Sequence, residues 1–367
     1  MASTAEKIQE IIDEIAKTPS NKATQGHLGK LKARLAKMED QKDLEKSKKS
    51  GTSDHGYSVR KTGDATCVFI GFPSVGKSTL LNKITNADSR VGAYEFTTLT
   101  VVPGILDYEG IKMQVLDIPG IIENAAAGKG RGREILSVAR IANIVIIMID
   151  IERPHCLEIL KKELYKIGLR LNQMPPDVDI KKKDRGGIIL RTTVKQDLSK
   201  ETIKGILNES GIINADVILR EKLTIDRLID SVSSNRVYVP LLVVLNKIDT
   251  ASKEKLYSIT SKIKDPLITI SAEKDENLPQ FKKQLFEKTG LLRIYMKEPG
   301  KVPDFKEPLI MKQGATIRAV AEKIHKDFAK HLMYGKVTGK SAKFDAQKLG
   351  PNHVLKDKDV VELAFER

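Results

Sequence analysis

Residues 66–84 read as a strand, a glycine-bearing turn and a helix. TCVFI runs into Gly71-Phe72-Pro73-Ser74-Val75-Gly76-Lys77-Ser78, and STLLNKI follows. The octapeptide fits GxxxxGK[ST], a pattern that carries meaning only between a strand and a helix, and here it has both flanks. The glycines permit a tight turn whose backbone N–H groups, with the helix N-terminus, surround phosphate oxygens. Lys77 adds a cation and Ser78 a hydroxyl for Mg²⁺, while Pro73, Ser74, Val75 and Thr79 line the same cradle. A turn of this kind belongs at the end of a strand in an α/β sheet.

The rest of the chain supplies that sheet. KMQVLDI, IVIIMIDI, VPLLVVLNKID and PLITISA are continuous apolar runs, which suit strands covered on both faces and so a mainly parallel, doubly wound domain. Before it, Ile8, Ile11, Ile12 and Ile15, then Leu28, Leu31, Leu35 and Met38, repeat at helical spacing around a break at Thr18-Pro19-Ser20-Asn21. This predicts a helical hairpin that fades into a polar linker from QKDLEKSKK onward. Between 167 and 236 the spacing stretches, with Pro175-Pro176, Lys181-Lys182-Lys183, Gly186-Gly187 and a strand-like IILRTTV, as expected of an inserted small α+β domain. After Pro299-Gly300 comes a further α+β unit: a strand PLIMK, a helix from Thr316 to about Leu332 carrying His325 and His331, and a closing VVELAFE strand. The expected domains are thus 1–64, helical hairpin and linker; 65–166 with 237–299, the nucleotide domain; 167–236, the insertion; and 300–367, the C-terminal unit.

At 367 residues the chain is long enough for several domains. Nothing approaches the roughly 18–20 uninterrupted apolar residues of a membrane span, and the amphipathic start MASTAEKIQEIIDEIAK lacks a signal-peptide pattern. A cytoplasmic protein with no membrane partner is expected. Two cysteines, Cys67 and Cys156, cannot form a disulfide framework and show no metal-ligand spacing with the six histidines.

Three more elements follow in order. Asp117-Ile118-Pro119-Gly120 ends the strand KMQVL, placing a carboxylate near Mg²⁺, through water, and the Gly120 amide near a γ-phosphate. Asn246-Lys247-Ile248-Asp249 ends VPLLVVL. An ionised Asp249 only accepts hydrogen bonds, which matches guanine N1–H and N2–H₂; adenine has no such donor pair on that edge. Asn246 would tie the base loop to the phosphate loop, and Ser271-Ala272 would offer a backbone N–H to guanine O6. Alone, DxxG is a weak signal; in this order and at strand ends the set specifies GTP and GDP.

Phe72-Pro73-Ser74, GAYEFTTLT (92–100), DIPGIIENAAAGKGRGRE (117–134) and NKID together resemble the DRG (developmentally regulated GTP-binding) branch of the Obg-related GTPases, across essentially the whole chain. The resemblance implies a helix-turn-helix-like N-terminus, a ribosomal-protein-like insertion and a C-terminal TGS domain of β-grasp type, carried here by GATIRAVAEKIHKDF and HVLKDKDVVEL. The glycine-rich N-terminal domain of bacterial Obg proteins is absent. Thr98 matches the switch-I threonine on Mg²⁺ and the γ-phosphate, with Thr97 as the alternative. The expected catalytic set is Lys77, Thr98 and Gly120, and the metal set Ser78, Thr98 and Asp117. Where Ras-like enzymes place a water-orienting Gln after DxxG, this chain has Ile121, whose side chain cannot position water; slow intrinsic hydrolysis follows. Some related GTPases hold K⁺ with a phosphate-loop Asn; this chain departs from that pattern with Ser74, and K⁺ activation is an expectation from the resemblance alone. Gly128 to Arg133 reads as a flexible switch segment, with RNA contact as the alternative, and Lys181-Lys182-Lys183 as a solvated loop with the same alternative.

The implied function is a GTP-hydrolysing switch on translating ribosomes, with rRNA and a DFRP-type regulatory protein as partners and no stable homo-oligomer. The competing readings are an RNA- or ribosome-binding scaffold with structural GTP, and a P-loop ATPase, which Asp249 disfavours. Net charge is +15, from 63 basic and 48 acidic residues. Residues 1–66, the insertion with its lead-in helix (153–236) and 300–367 carry +3, +5 and +5 of it, so 13 of the 15 excess charges lie outside the core segments 67–152 and 237–299, on the appendages where a polyanion such as RNA would be met.

Overall fold

The computed structural model describes residues 4–19, 21–49, 63–85, 102–118, 132–233 and 235–366. The chain opens with α1 (Thr4–Lys17) and α2 (Gln25–Lys49). Then come β1 (Ala65–Gly71), α3 (Lys77–Ile84), β2 (Val102–Tyr108), β3 (Ile111–Asp117), α4 (Gly132–Ile141), β4 (Ile144–Asp150) and α5 (Cys156–Lys166). Next are β5 (Leu169–Leu171), β6 (Val178–Lys182), β7 (Ile188–Thr192), α6 (Lys200–Glu209), β8 (Ala215–Leu219), α7 (Ile225–Val232) and β9 (Val237–Val239). The nucleotide domain resumes with β10 (Leu241–Asn246), α8 (Lys253–Thr260), β11 (Leu267–Thr269) and α9 (Leu278–Thr289). Last come β12 (Leu291–Met296), β13 (Leu309–Lys312), α10 (Ile317–Ile324), β14 (Leu332–Thr338), β15 (Gln347–Leu349) and β16 (Asp359–Phe365).

Two compact units divide these elements. One comprises residues 1–58 and 164–238. In it a three-stranded sheet, β6-β8-β7, packs under α6 and α7, whose N-termini are capped by Ser199 and Thr224 side chains accepting from Thr202 and Arg227 amides. Helix α2 lies on α6: Ala33 and Ala36 share a buried core with Ile203 and Ile206. Close approach explains the small residues there, since a Cβ on Gly29 would stand 2.9 Å from Ile206 Cδ1. Beneath, Arg170, Asp230 and Arg236 form a buried ion cluster, with Arg170 bonding Asp230 at 2.6 and 2.7 Å and Arg236 at 2.8 Å.

The other unit, 59–163 and 239–367, holds a six-stranded sheet in the order β11-β10-β4-β1-β3-β2, parallel except for edge strand β2. Strands β1 and β4 are buried along their entire lengths, which is why they read as unbroken apolar runs. Its second sheet, β13-β12-β16-β14-β15, packs α10 through Ile317, Val320 and Ala321 onto Ile294, Val337 and Val361. β12 is the second strand of that sheet, so the C-terminal fold begins upstream of the Pro299-Gly300 break at which the sequence reading starts it.

Two sequence expectations are corrected here. The helix expected to run from Thr316 to about Leu332 ends at Ile324, capped by Thr316 at its start. Residues 325–331 beyond it are loop and turn, and Leu332 opens β14, in which Leu332, Gly335 and Val337 are buried while Met333 is exposed. His325 is therefore an extended helix-capping residue and His331 precedes a strand, neither being on a helix face. The stretch QKDLEKSKK is the C-terminal part of α2 rather than linker, in keeping with its Lys, Glu, Gln and Leu content, all strong helix formers. No helix among the described residues is long and apolar enough to cross a membrane.

Candidate nucleotide site

The carboxyl ends of β1, β3, β4 and β10 meet along one edge of the six-stranded sheet, where ligands bind in open α/β folds. Pairing fixes their level: Phe69 lies opposite Asp117, Gly71 opposite Met148, and Asn246 opposite Asp150. From β1 the chain turns through Ser74 at φ 64° and Gly76 at φ 94° and enters α3 with no side chain capping its N-terminus. Its first amides are thereby left for a ligand. Both glycines are required by space as well. A Cβ on Gly71 would lie 2.6 Å from the Met148 carbonyl, and one on Gly76 would lie 2.3 Å from Asn246 Nδ2.

Lys77, the first residue of α3, folds back over this turn and donates to the Gly71 and Phe72 carbonyls at 2.9 and 3.1 Å. Burial lowers its pKa, against the pull of the Asp117 carboxylate. Asp117 shows the mirror effect: burial raises it and Lys77 opposes. Both charges are thus held in a poorly solvated place, and Asp117 Oδ1 is buried with no hydrogen-bond partner among the described residues. Ser78, one residue further on, is exposed.

Asn246 is the hub of the base loop. Its Nδ2 donates to the Val75 carbonyl in the phosphate loop at 2.8 Å, and its Oδ1 accepts from the Ala272 amide at 2.9 Å. Of the Ser271-Ala272 pair, from which the sequence reading expects a backbone N–H for guanine O6, Ala272 directs its N–H to Asn246, since both groups are buried and each needs a partner. Asp249 follows Lys247, which adopts φ 63°. A hydrogen bond from the buried Ser271 hydroxyl lowers the Asp249 pKa, with burial opposing and the Asp249 amide and Lys274 adding to the lowering. The carboxylate is ionised at neutral pH, acceptor-only, and its Oδ1 too is buried without a partner among the described residues.

Of the residues singled out from sequence, Gly71, Pro73, Ser74, Val75, Gly76, Lys77, Ser78, Thr79, Asp117, Asn246, Lys247, Asp249, Ser271 and Ala272 all fall on this edge or its loops. Thr98 with its alternative Thr97, Gly120, Ile121 and the run Gly128 to Arg131 lie outside the described residues. Sequence reasoning missed Asp150 and Arg153. Asp150 ends β4 with a fully buried side chain, and Arg153 bonds it at 2.9 Å while reaching the Pro73 carbonyl at 3.3 Å. A strand ending in Asp at the level of Asn246 was the available signal; the contact to a residue 80 positions away was not.

Comparison with known proteins agrees with this architecture. Residues 66–183 match the family described as 50S ribosome-binding GTPase, residues 185–291 the C-terminal region of that domain, and residues 292–364 the TGS domain. An uncharacterized GTP-binding protein of Methanocaldococcus jannaschii is 52% identical, over 99% of this chain and 93% of its own length. Ribosome-interacting GTPase 1 of Saccharomyces cerevisiae is 42% identical over 99% of both chains. Developmentally-regulated GTP-binding protein 1 of Xenopus laevis is 46% identical, again over 99% of both. With a P-loop GTPase domain, a TGS domain and identity of this level from end to end, the chain belongs to the family of developmentally-regulated GTP-binding proteins.

Proposed function

We propose that this GTPase hydrolyses GTP slowly when alone and uses the change of nucleotide state to act on translating ribosomes, together with a regulatory partner of the DFRP type. The observation that carries the nucleotide assignment is Asp249: an ionised carboxylate with one buried oxygen unpartnered among the described residues, on a loop pinned to the phosphate loop by Asn246. Such an acceptor complements the N1–H and N2–H₂ edge of guanine and repels adenine.

The residues suit GTP with Mg²⁺. Ser78 offers a hydroxyl and Asp117 a carboxylate oxygen without a partner among the described residues, an all-oxygen set fitting a hard cation. Thr98 would complete it. Bound there, Mg²⁺ would neutralise charge between the β- and γ-phosphate oxygens. Lys77 has two of its three N–H groups on loop carbonyls, which leaves one for a phosphate oxygen. Gly120 would donate its amide to the γ-phosphate.

Ile121 after the DxxG motif supports a slow intrinsic rate, since it cannot orient water. The family resemblance supports K⁺ as activator; Ser74 stands where some relatives place Asn. Single-turnover hydrolysis should be faster in K⁺ than in Na⁺, and equal rates would remove that part. The ribosome is supported by the yeast relative's name and by the basic excess outside the nucleotide domain. Co-sedimentation with ribosomes at controlled salt should be strongest with a non-hydrolysable GTP analogue; binding indifferent to nucleotide would favour the scaffold reading. Competition binding tests the base assignment directly. Asp249→Asn should weaken GTP by about 10- to 100-fold, since it replaces a charged acceptor by a group carrying a donor. ATP competing as well as GTP against the unaltered protein would refute it.

A further inference from the structure

Asp150 is a buried charge that none of the nucleotide motifs explains. Its side chain has no exposure, and an ion so placed is costly unless its partners are well arranged. The partners come from two directions. Arg153 gives its backbone N–H to Oδ1 and an Nη2 hydrogen to Oδ2, both at 2.9 Å. From the base loop, Lys247 Nζ stands 3.6 Å from Oδ2. The same Arg153 Nη2 also reaches the Pro73 carbonyl at 3.3 Å, so one guanidinium nitrogen bridges the carboxylate and the phosphate loop.

We propose that Asp150 and Arg153 are positioning residues for nucleotide: through Pro73 on one side and Lys247 on the other, they hold the phosphate loop and the base loop in register. The link parallels the direct one from Asn246 to Val75, two residues further along the phosphate loop. It is needed because both loops depart from relaxed backbone at the points held. Ser74, next to Pro73, has φ 64°, and Lys247 has φ 63°. Non-glycine residues persist there only when their surroundings fix them. The Asp150 carboxylate also offsets the charges of Arg153 and Lys247 beside a loop that already carries Lys77. Its depressed pKa, where bonds from the Arg153 side chain and backbone outweigh burial, agrees with a permanently ionised anchor.

The inference rests on the guanine-nucleotide reading, and the test separates the two. Dissociation of a fluorescent GDP analogue with Mg²⁺ is followed for the full-length protein and for Asp150→Asn, Arg153→Ala and Arg153→Lys, with melting of each protein without nucleotide alongside. Asp150→Asn and Arg153→Ala should speed release about tenfold, equivalent to about 1.4 kcal/mol. Arg153→Lys, which keeps a cation for Asp150 but loses the rigid placement of the Nη2 that also reaches Pro73, should fall between. Arg153 is 40% exposed, so its variants fold even if Asp150→Asn does not, and their nucleotide-free melting should match wild type. Release within about twofold of wild type in Arg153→Ala overturns the proposal, as does a melting loss in that variant without faster release. Failure of the unaltered protein to bind any guanine nucleotide would instead sink the underlying reading.

Discussion

Truncating Arg293 to Ala should loosen the C-terminal sheet, and the structure gives the size of the effect. Arg293 sits on β12 with its side chain 4% exposed. Its guanidinium grips Asp357 at 2.6 and 3.1 Å, bonds Glu109 at the tip of the β2–β3 hairpin, and lies 4.4 Å over the Phe286 ring. Removing one member of a buried ion pair costs about 3–5 kcal/mol. Here the stranded partners are partly wet: Asp357 is 29% and Glu109 48% exposed, and Glu109 keeps Lys358 at 3.0 Å. Solvent screening reduces the expected loss to about 2–3 kcal/mol. The chain has eight tyrosines and no tryptophan, so urea unfolding can follow tyrosine emission, with amide exchange of 291–296 and 359–365 reporting the sheet itself. An Arg293→Ala, Asp357→Ala double-mutant cycle should return a coupling of about 1–2 kcal/mol. Acid should erase it. Burial alone would raise Asp357, but hydrogen bonds from the Arg293 side chain and backbone hold it below the usual range, and Glu109 is lowered chiefly by Lys358. Depressed carboxyl pKa values stabilise fully above the unfolded values near 3.9–4.3, and that contribution fades as pH falls through the folded ones. The wild-type advantage should therefore be flat above about pH 5 and shrink below about pH 4. Additive single effects, or a loss under about 0.5 kcal/mol, would refute the reasoning.

Other perturbations probe separate parts of the molecule. Asp230→Ala leaves Arg170 and Arg236, 3% and 11% exposed, without their carboxylate and should destabilise the 164–238 region by about 3–5 kcal/mol in denaturant unfolding. Cys67, with no exposure, has its thiol pushed up to about 12 by burial, so a thiol reagent at mildly alkaline pH should label it only after denaturation.

What could be read from sequence followed from burial on both faces. Strands β1, β4 and β10 announce themselves because every position is covered, β3 because all but Lys112 are, and the phosphate and base loops because their chemistry constrains consecutive residues. Edge strand β2 escaped notice: it contains Pro103 and Gly104, residues that argue against a central strand and are tolerated at an edge. Leu332 continues the spacing of α10, which extends the expected helix over the turn at 325–331, and β14, which begins at Leu332, is revealed only by its pairing with β16. The Asp150–Arg153 bridge was illegible for a different reason, since a salt bridge three residues apart looks local until Pro73 is folded against it.

The packing of α2 on α6 has a consequence in time. Ala36 and Ile206 share one core but are separated by about 170 residues of chain, which a ribosome adding roughly 5–20 residues per second needs on the order of ten to thirty seconds to make. Throughout that interval α2 has no α6 to cover Ala33 and Ala36. The α1–α2 hairpin thus waits for a partner that lies in the middle of the chain.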